Sequence, residues 1–419
     1  MTSDGVSHVA SNVQLRQLPY PYRAMLAICS DLDETPDRQA YWEIMRFLNT
    51  NETTAMGPGV GLEVGNSIYF DMPPEQFAYW NTDDYGRRMV QTLIRSGHID
   101  CLHSYGDLAT TRAHARRALD ELARYDCRLE VWIDHAAAAT NFDPLIMYGH
   151  GDEVRHEAYH ADLTMGYGIR YVWRGRVTSI IGQDVPARLG GIFNWSHPVA
   201  SGRTLFKEIA KQRLARSGNK KYAMHGLNEI LRPIMLRDGS PAYEFMRCNP
   251  HWGGVTSCEE GRHIGDVLTS DMLDRLVERG GICVLYTHLG KTDDPRIPFN
   301  QTAVRAFRRL AEDFHGGRIL VTTTRRLLGY CLAIHAVSYD SHWNGQKLCI
   351  AINTQNSKTS VGSVPSDDLR GLTFYVPDST ATCVTINGRE VANLQCNDPD
   401  HTGRPSVSLA WPLLAYPQV

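Results

Sequence analysis

Short apolar runs alternate with stretches of helical period along most of this chain, and several of those runs end on an aspartate or a histidine. AMLAICSDLDE at residues 24–34, GHIDCLHSYGD at 97–107 and GICVLYTHLGK at 281–291 all have this form. A run that is apolar on both faces suits a strand covered by helices. Strands alternating with helices at this spacing build parallel βαβ units. The carboxyl ends of parallel strands open on one face of the sheet, which is where sites are built. Polar residues ending three separate runs therefore belong to one constellation.

The pattern predicts strands at 24–30, within 57–70, and at 99–103, 129–133, 169–173, 243–246, 282–286 and 318–321. Helices are expected over 37–49, from a Thr82 cap to Gly97, from Thr111, and over 270–279 and 302–314, each with an apolar stripe such as Met89, Val90, Leu93 and Ile94. About seven or eight such repeats imply an α/β fold, a closed or nearly closed (β/α) barrel over residues 21–332. Residues 175–242 break the rhythm and read as an insertion or elaborated loop. Its basic run at 207–221 is expected to be a solvated helix face. From 333 to 419, runs such as KLCIAIN and ATCVTI alternate with turn residues, and Asn387-Gly388 is a hairpin signal, so a C-terminal all-β sandwich is expected. Residues 1–20 are polar and aperiodic and read as an arm.

Composition narrows the function classes. At 419 residues the chain exceeds one ordinary domain, and a net charge of -3 gives no basic surplus for nucleic acid or an anionic membrane. The start of the chain lacks the basic and apolar regions of a secretory signal, and no apolar run reaches the roughly 18 residues of a spanning helix, so a cytoplasmic location is expected. The ten cysteines are scattered without a CxxC pair, and are expected to be small, reduced, buried hydrophobes. The oligomeric state is not encoded legibly.

Taken singly, each polar strand end has an ordinary structural explanation: a cap, a turn aspartate, a hydrogen-bonded core histidine. Asp31 and Asp33 would project to the same side of their strand end, because side chains alternate. His103 with Asp107, Asp134-His135, Arg247 and His288 end four further strands. Carboxylates and imidazoles gathered in one pocket are the groups from which metal sites and proton-transfer catalysts are made.

In the order of these motifs, residues 22–332 resemble the polysaccharide deacetylases, the group that includes carbohydrate esterase family 4. The family has a strand-end aspartate pair, then Gly-His, four residues, and His followed by Ser or Thr, and late in the chain a strand ending in Leu-x-His. Asp31 and Asp33, Gly97-His98 with His103-Ser104, and His288 stand at or next to those places. The resemblance implies a metal-dependent hydrolase that removes an acetyl or other acyl group from an N-acylated sugar, nucleotide-linked or lipid-linked, in surface-polysaccharide synthesis. It implies one divalent ion, Zn2+ first and Mn2+, Fe2+ or Co2+ as alternatives, on Asp33, His103 and Asp107. Asp31 would be the general base and His288 the general acid; the intervening Leu32 leaves the roles of Asp31 and Asp33 interchangeable. Two departures stand out: Asp107 occupies the position of the family's second metal histidine, and the middle Arg-Pro motif is absent, WIDHAAAATN standing there instead. His135 is accordingly assigned to substrate or to a further place on the metal, Arg247 to substrate, and Trp80, Trp132, Trp173, Trp195 and Trp252 are candidates for stacking on sugar rings. The alternatives are a non-sugar amide substrate on the same fold, and a glycan-binding protein without turnover.

Overall fold

The computed structural model describes residues 13–31, 34–354 and 364–418. The chain divides into two compact units, Arg23–Leu328 with Leu413–Val419, and Met1–Tyr22 with Gly329–Pro412. No helix among the described residues is long and apolar enough to cross a membrane.

The larger unit is mixed α/β, with two largely parallel sheets. One has the order Ile319–Thr322, Ala24–Ser30, Ile282–Thr287, Arg247–Cys248, Val177–Thr178, with every pair parallel. The other runs Leu231–Met235, Pro241–Phe245, Tyr171–Trp173, Val131–Ile133, Ile99–His103, Asn66–Ile68, parallel except for its first, antiparallel pair. The sheets meet where Pro241–Phe245 of one continues almost directly into Arg247–Cys248 of the other. The interior strand Ala24–Ser30 is buried at every position, as its apolar run requires.

Helices follow the strands much as the periodicity predicts. Arg38–Asn49, Asp84–Arg95, Arg112–Arg124, Ser270–Arg279 and Gln301–His315 bury the expected stripes. The cap of Asp84–Arg95 differs by one residue: Asp83, rather than Thr82, accepts the Gly86 N–H at 2.7 Å. Gly97 then turns the chain with φ of 82°, a left-handed conformation that a side chain would strain.

The stretch at 175–242 is more than a loop. Val177–Thr178 is an edge strand of one sheet and Leu231–Met235 of the other, flanking the long helix Pro198–Arg216. The sequence conceals this because the helix buries polar side chains: Glu208 accepts from Thr178 Oγ1 at 2.9 Å and from the Ser179 N–H at 3.2 Å. In the basic run Lys207, Arg213, Arg216 and Lys220 are exposed, while Lys211 reaches the Val177 carbonyl.

The smaller unit holds two four-stranded sheets. One contains Gln14–Arg16, so this part of the expected arm is a strand, antiparallel to Thr373–Tyr375. Its anchor is Arg16, buried against Asp400 and the carbonyls of Leu18, Pro19 and Tyr22. The other sheet includes the expected hairpin, with φ of 48° at Asn387 and 81° at Gly388 between Thr382–Ile386 and Arg389–Glu390. Leu348–Asn353 and Thr382–Ile386 pair in parallel, a departure from an ordinary hairpin succession. At the far end of the chain, Leu413–Val419 returns to the larger unit, where the Leu414 N–H donates to buried Glu63. All ten cysteines are free; six are buried as expected, whereas Cys258, Cys349 and Cys383 are half-buried and Cys396 is exposed.

Several histidines of the larger unit are buried and neutral. His160 bonds the Thr140 carbonyl through Nε2 and Thr164 Oγ1 through Nδ1, both at 2.8 Å, which fixes the neutral tautomer. Burial pushes His160 and His98 down to about 4 and His225 to about 3. Since the unfolded chain protonates these rings near pH 6.5, it binds more protons than the folded chain as pH falls from there toward 4, and stability falls in that window. Each histidine contributes roughly 1.4 kcal/mol per pH unit within it. His160→Gln is expected to make the urea midpoint less sensitive to pH between 7 and 5 by about one histidine's share; an unchanged dependence would contradict this.

Candidate active site

The ends of the parallel strands converge on Asp31. Ser30 pairs with Thr287 in register, the Asp31 N–H donates to the Thr287 carbonyl at 2.9 Å, and Ser30 Oγ accepts the Leu289 N–H. This ladder sets Asp31 and His288 side by side, each one residue past its strand. His103 likewise pairs with Ile133, and the chain beyond Ile133 delivers Asp134 and His135. The turns leaving these two strands contain residues with left-handed backbone, Ser104 at φ of 45° and Ala136 at 40°. Such strain costs on the order of 1 kcal/mol per residue and collects where geometry is over-determined.

The Asp31 carboxylate is buried and gripped by a buried arginine. Arg247 Nη1 and Nη2 donate to its two oxygens at 2.7 and 2.8 Å. The guanidinium also lies on the rings of Trp173, 3.6 Å from the centroid, and Tyr286, at 4.5 Å. Two imidazoles flank the pair: His103 Nε2 is 3.9 Å from Oδ1 and His288 Nε2 is 3.9 Å from Oδ2. Burial works to raise the Asp31 pKa, but the Arg247 charge, with His103 and His288, holds the carboxyl below the ordinary carboxylate range.

His135 completes the group. Its Nδ1 is 3.3 Å from His103 Nε2 and 3.3 Å from the Tyr69 hydroxyl, whose ring stacks on His103 at 4.4 Å. Its Nε2 meets Asp107 Oδ1 at 3.2 Å. A carboxylate only accepts, so Nε2 carries the proton and Nδ1 turns its lone pair toward His103. Two nitrogens bound tetrahedrally at about 2.0–2.1 Å lie about 3.3–3.4 Å apart, so the separation of the two imidazoles matches a shared divalent ion. The Asp107 contact has the form of the outer carboxylate that orients a metal-binding histidine.

The predicted residues therefore sort unevenly. Asp31, His103, His135, Arg247 and His288 come together around one carboxylate. Asp107 meets the His135 ring at Nε2, while the Nδ1 of that ring is the nitrogen that faces His103. Arg247, assigned to substrate, is wholly buried and commits both Nη groups to Asp31. Asp33 lies outside the described residues. His98 packs edge-on against Tyr416, apart from the group.

Sequence reasoning missed the ring of Tyr69 and the pairing of Asp31 with Arg247. A tyrosine following the Asn66–Ile68 strand was a signal for the first; a buried pair 216 residues apart left none. It noted Asp134 at a strand end but gave it no role; Asp134 accepts from Trp132 Nε1 and the Phe142 and Asp143 N–H groups and so folds back the loop beyond His135. Of the tryptophans, Trp132 and Trp173 are core, Trp252 stacks on His197, and Trp195 is exposed. No protein-family model and no curated protein sequence matches the chain.

Removing one partner of a buried ion pair strands the other charge, at a cost of about 3–5 kcal/mol. Arg247→Ala and Asp31→Asn should each destabilise by that order in denaturant unfolding. The double variant should fall short of their sum by about 1–3 kcal/mol; strict additivity would refute the pairing.

Proposed function

We propose that the chain is a metal-dependent hydrolase that removes an acetyl or similar acyl group from an N-acylated sugar, nucleotide-linked or lipid-linked, on a barrel-like scaffold related to the polysaccharide deacetylases. The observation that carries this reading is the convergence of Asp31, His103, His135 and His288 at the strand ends, with Arg247 behind Asp31. Amide hydrolysis needs an activated water, charge stabilisation at the acyl oxygen and a proton for the leaving amine. This set has candidates for each.

His103 Nε2 and His135 Nδ1 are the described groups that would hold a divalent ion, and the family resemblance adds Asp33 to them; the ligand types suit Zn2+, Mn2+, Fe2+ or Co2+, with Zn2+ first by that resemblance. When bound, such an ion supplies Lewis acidity and makes water acidic enough to ionise near neutral pH. Asp31, kept ionised and fixed in direction by Arg247, accepts the proton of the attacking water. His288, across the same carboxylate from His103, donates a proton from Nε2 to the departing nitrogen. Arg247 acts through Asp31 and is a positioning residue; Asp107 positions His135 in the same sense. The buried ring of Trp173 and the half-buried ring of Tyr286 cover the guanidinium of the salt bridge.

The test joins metal analysis with turnover. His103→Ala and His135→Ala should abolish tight binding of one divalent ion per chain, while Asp107→Asn weakens it about 10–100-fold, as loss of an outer carboxylate does. Asp31→Asn and His288→Ala should retain the ion and lose release of acetate from N-acetylated sugars and nucleotide sugars. Unchanged metal content in both histidine variants would sink the proposal. Acetate release from small amides but from no sugar would move the substrate class.

A further inference from the structure

A second group of ligating side chains lies outside this site, in the segment that brackets His288. Cys258, His263 and Asp266 each offer one ligand atom, and the three atoms lie within 4.8 Å of one another. His263 Nδ1 and Asp266 Oδ2 are 3.7 Å apart. The local fold sets this up: the short helical turn Gly261–His263 runs into Ile264–Val267, so His263 and Asp266 fall one turn apart on the same side. Cys258 faces them from a left-handed backbone, φ of 60°, which is unfavourable for a residue with a Cβ and aims the sulfur back at the turn.

A fourth residue points to a ligand for this sulfur. His251 Nε2 is 3.6 Å from Cys258 Sγ, while His251 Nδ1 accepts the Gly253 N–H at 3.0 Å. With Nδ1 accepting, the neutral ring carries its proton on Nε2 and donates it to the sulfur. Burial and the neighbouring Asp266, Glu259 and Glu260 carboxylates push the Cys258 thiol up; the hydrogen bond from His251 resembles the outer contacts that orient metal ligands. The segment is anchored on both sides of the cysteine's neighbours: the His288 N–H donates to the Glu259 carbonyl at 2.6 Å, and the Gly261 N–H to the His288 carbonyl at 2.8 Å.

We propose that Cys258, His263 and Asp266 form a second divalent-cation site, separate from the strand-end group and independent of the reading given to it. Sulfur, imidazole and carboxylate together suit Zn2+ or Co2+ and disfavour Mg2+ or Ca2+. Ligand atoms around a tetrahedral ion with bonds of about 2.0–2.3 Å lie about 3.3–3.8 Å apart, so the group, whose atoms lie within 4.8 Å of one another, closes by at most about 1.0–1.5 Å on binding. His263 and Asp266 are exposed side chains, free to make that movement. His251 stays outside the ligand set as the donor to sulfur, and the fourth position is left open.

Co2+ added to the full chain distinguishes this site from the other, because only a thiolate ligand produces the near-ultraviolet sulfur-to-Co2+ charge-transfer band. The wild-type chain should develop the band with one equivalent bound at this site, and His103→Ala should leave it intact. Cys258→Ser, shown folded by circular dichroism, should lose it. His263→Ala and Asp266→Asn, both on the surface, should keep the band and bind Co2+ at least tenfold more weakly. Absence of the band in the wild-type chain, its persistence in Cys258→Ser, or unchanged affinity in both surface variants would overturn the site. If Cys258→Ser does not fold, the two surface variants decide.

Discussion

A carboxylate and a guanidinium, both buried, cannot be held away from water unless each satisfies the other. The pair of Asp31 and Arg247 meets this condition, with two short parallel hydrogen bonds and two aromatic faces against the cation. The geometry of the strand-end group depends on it. Asp31 stays ionised despite burial because the arginine is there, and its two oxygens are aimed by the guanidinium fork. His103 and His288 are then disposed about a fixed anion, 3.9 Å from opposite oxygens.

Register does the rest of the positioning. Parallel ladders bring Ser30 level with Thr287 and His103 level with Ile133, so residues just beyond those pairs must emerge together. Side chains alternate along a strand, which is why a shift of one residue would point the whole set into the helical layer. Turns with left-handed backbone at Ser104 and Ala136, the Asp134 hydrogen bonds and the Gly97 turn adjust the final directions. The segment hydrogen-bonded to His288 also carries Cys258, so the two groups of side chains share one piece of scaffold.

The βα rhythm was legible because each element of the larger unit has a clean period. Ala24–Ser30 is apolar throughout, and the helix Asp84–Arg95 puts Met89, Val90, Leu93 and Ile94 on one side. The region at 175–242 was not, because its long helix buries Glu208 and Gln212 and has no apolar stripe. Strand Gln14–Arg16 was hidden for a similar reason: its inward residue is an arginine, made tolerable by Asp400 and four carbonyls. At the site, strand ends announced Asp31, His103, His135 and His288, since polar groups closing apolar runs need a reason. Spacing could not say which nitrogen faces which oxygen, and so could not show that His135 turns Nε2 to Asp107 and Nδ1 to His103. The partner of Asp31 was equally invisible, for a salt bridge between distant strands leaves no periodic trace.

The account stands or falls on where a divalent ion binds at the strand ends. Crystals grown with Zn2+ and measured on either side of the zinc absorption edge would locate it by anomalous scattering. The expected result is a peak about 2.0–2.1 Å from His103 Nε2 and His135 Nδ1, with Arg247 still on Asp31 and Asp107 beyond the first ligand sphere. No peak at those nitrogens, or Asp107 bound directly with His135 turned away, would contradict it.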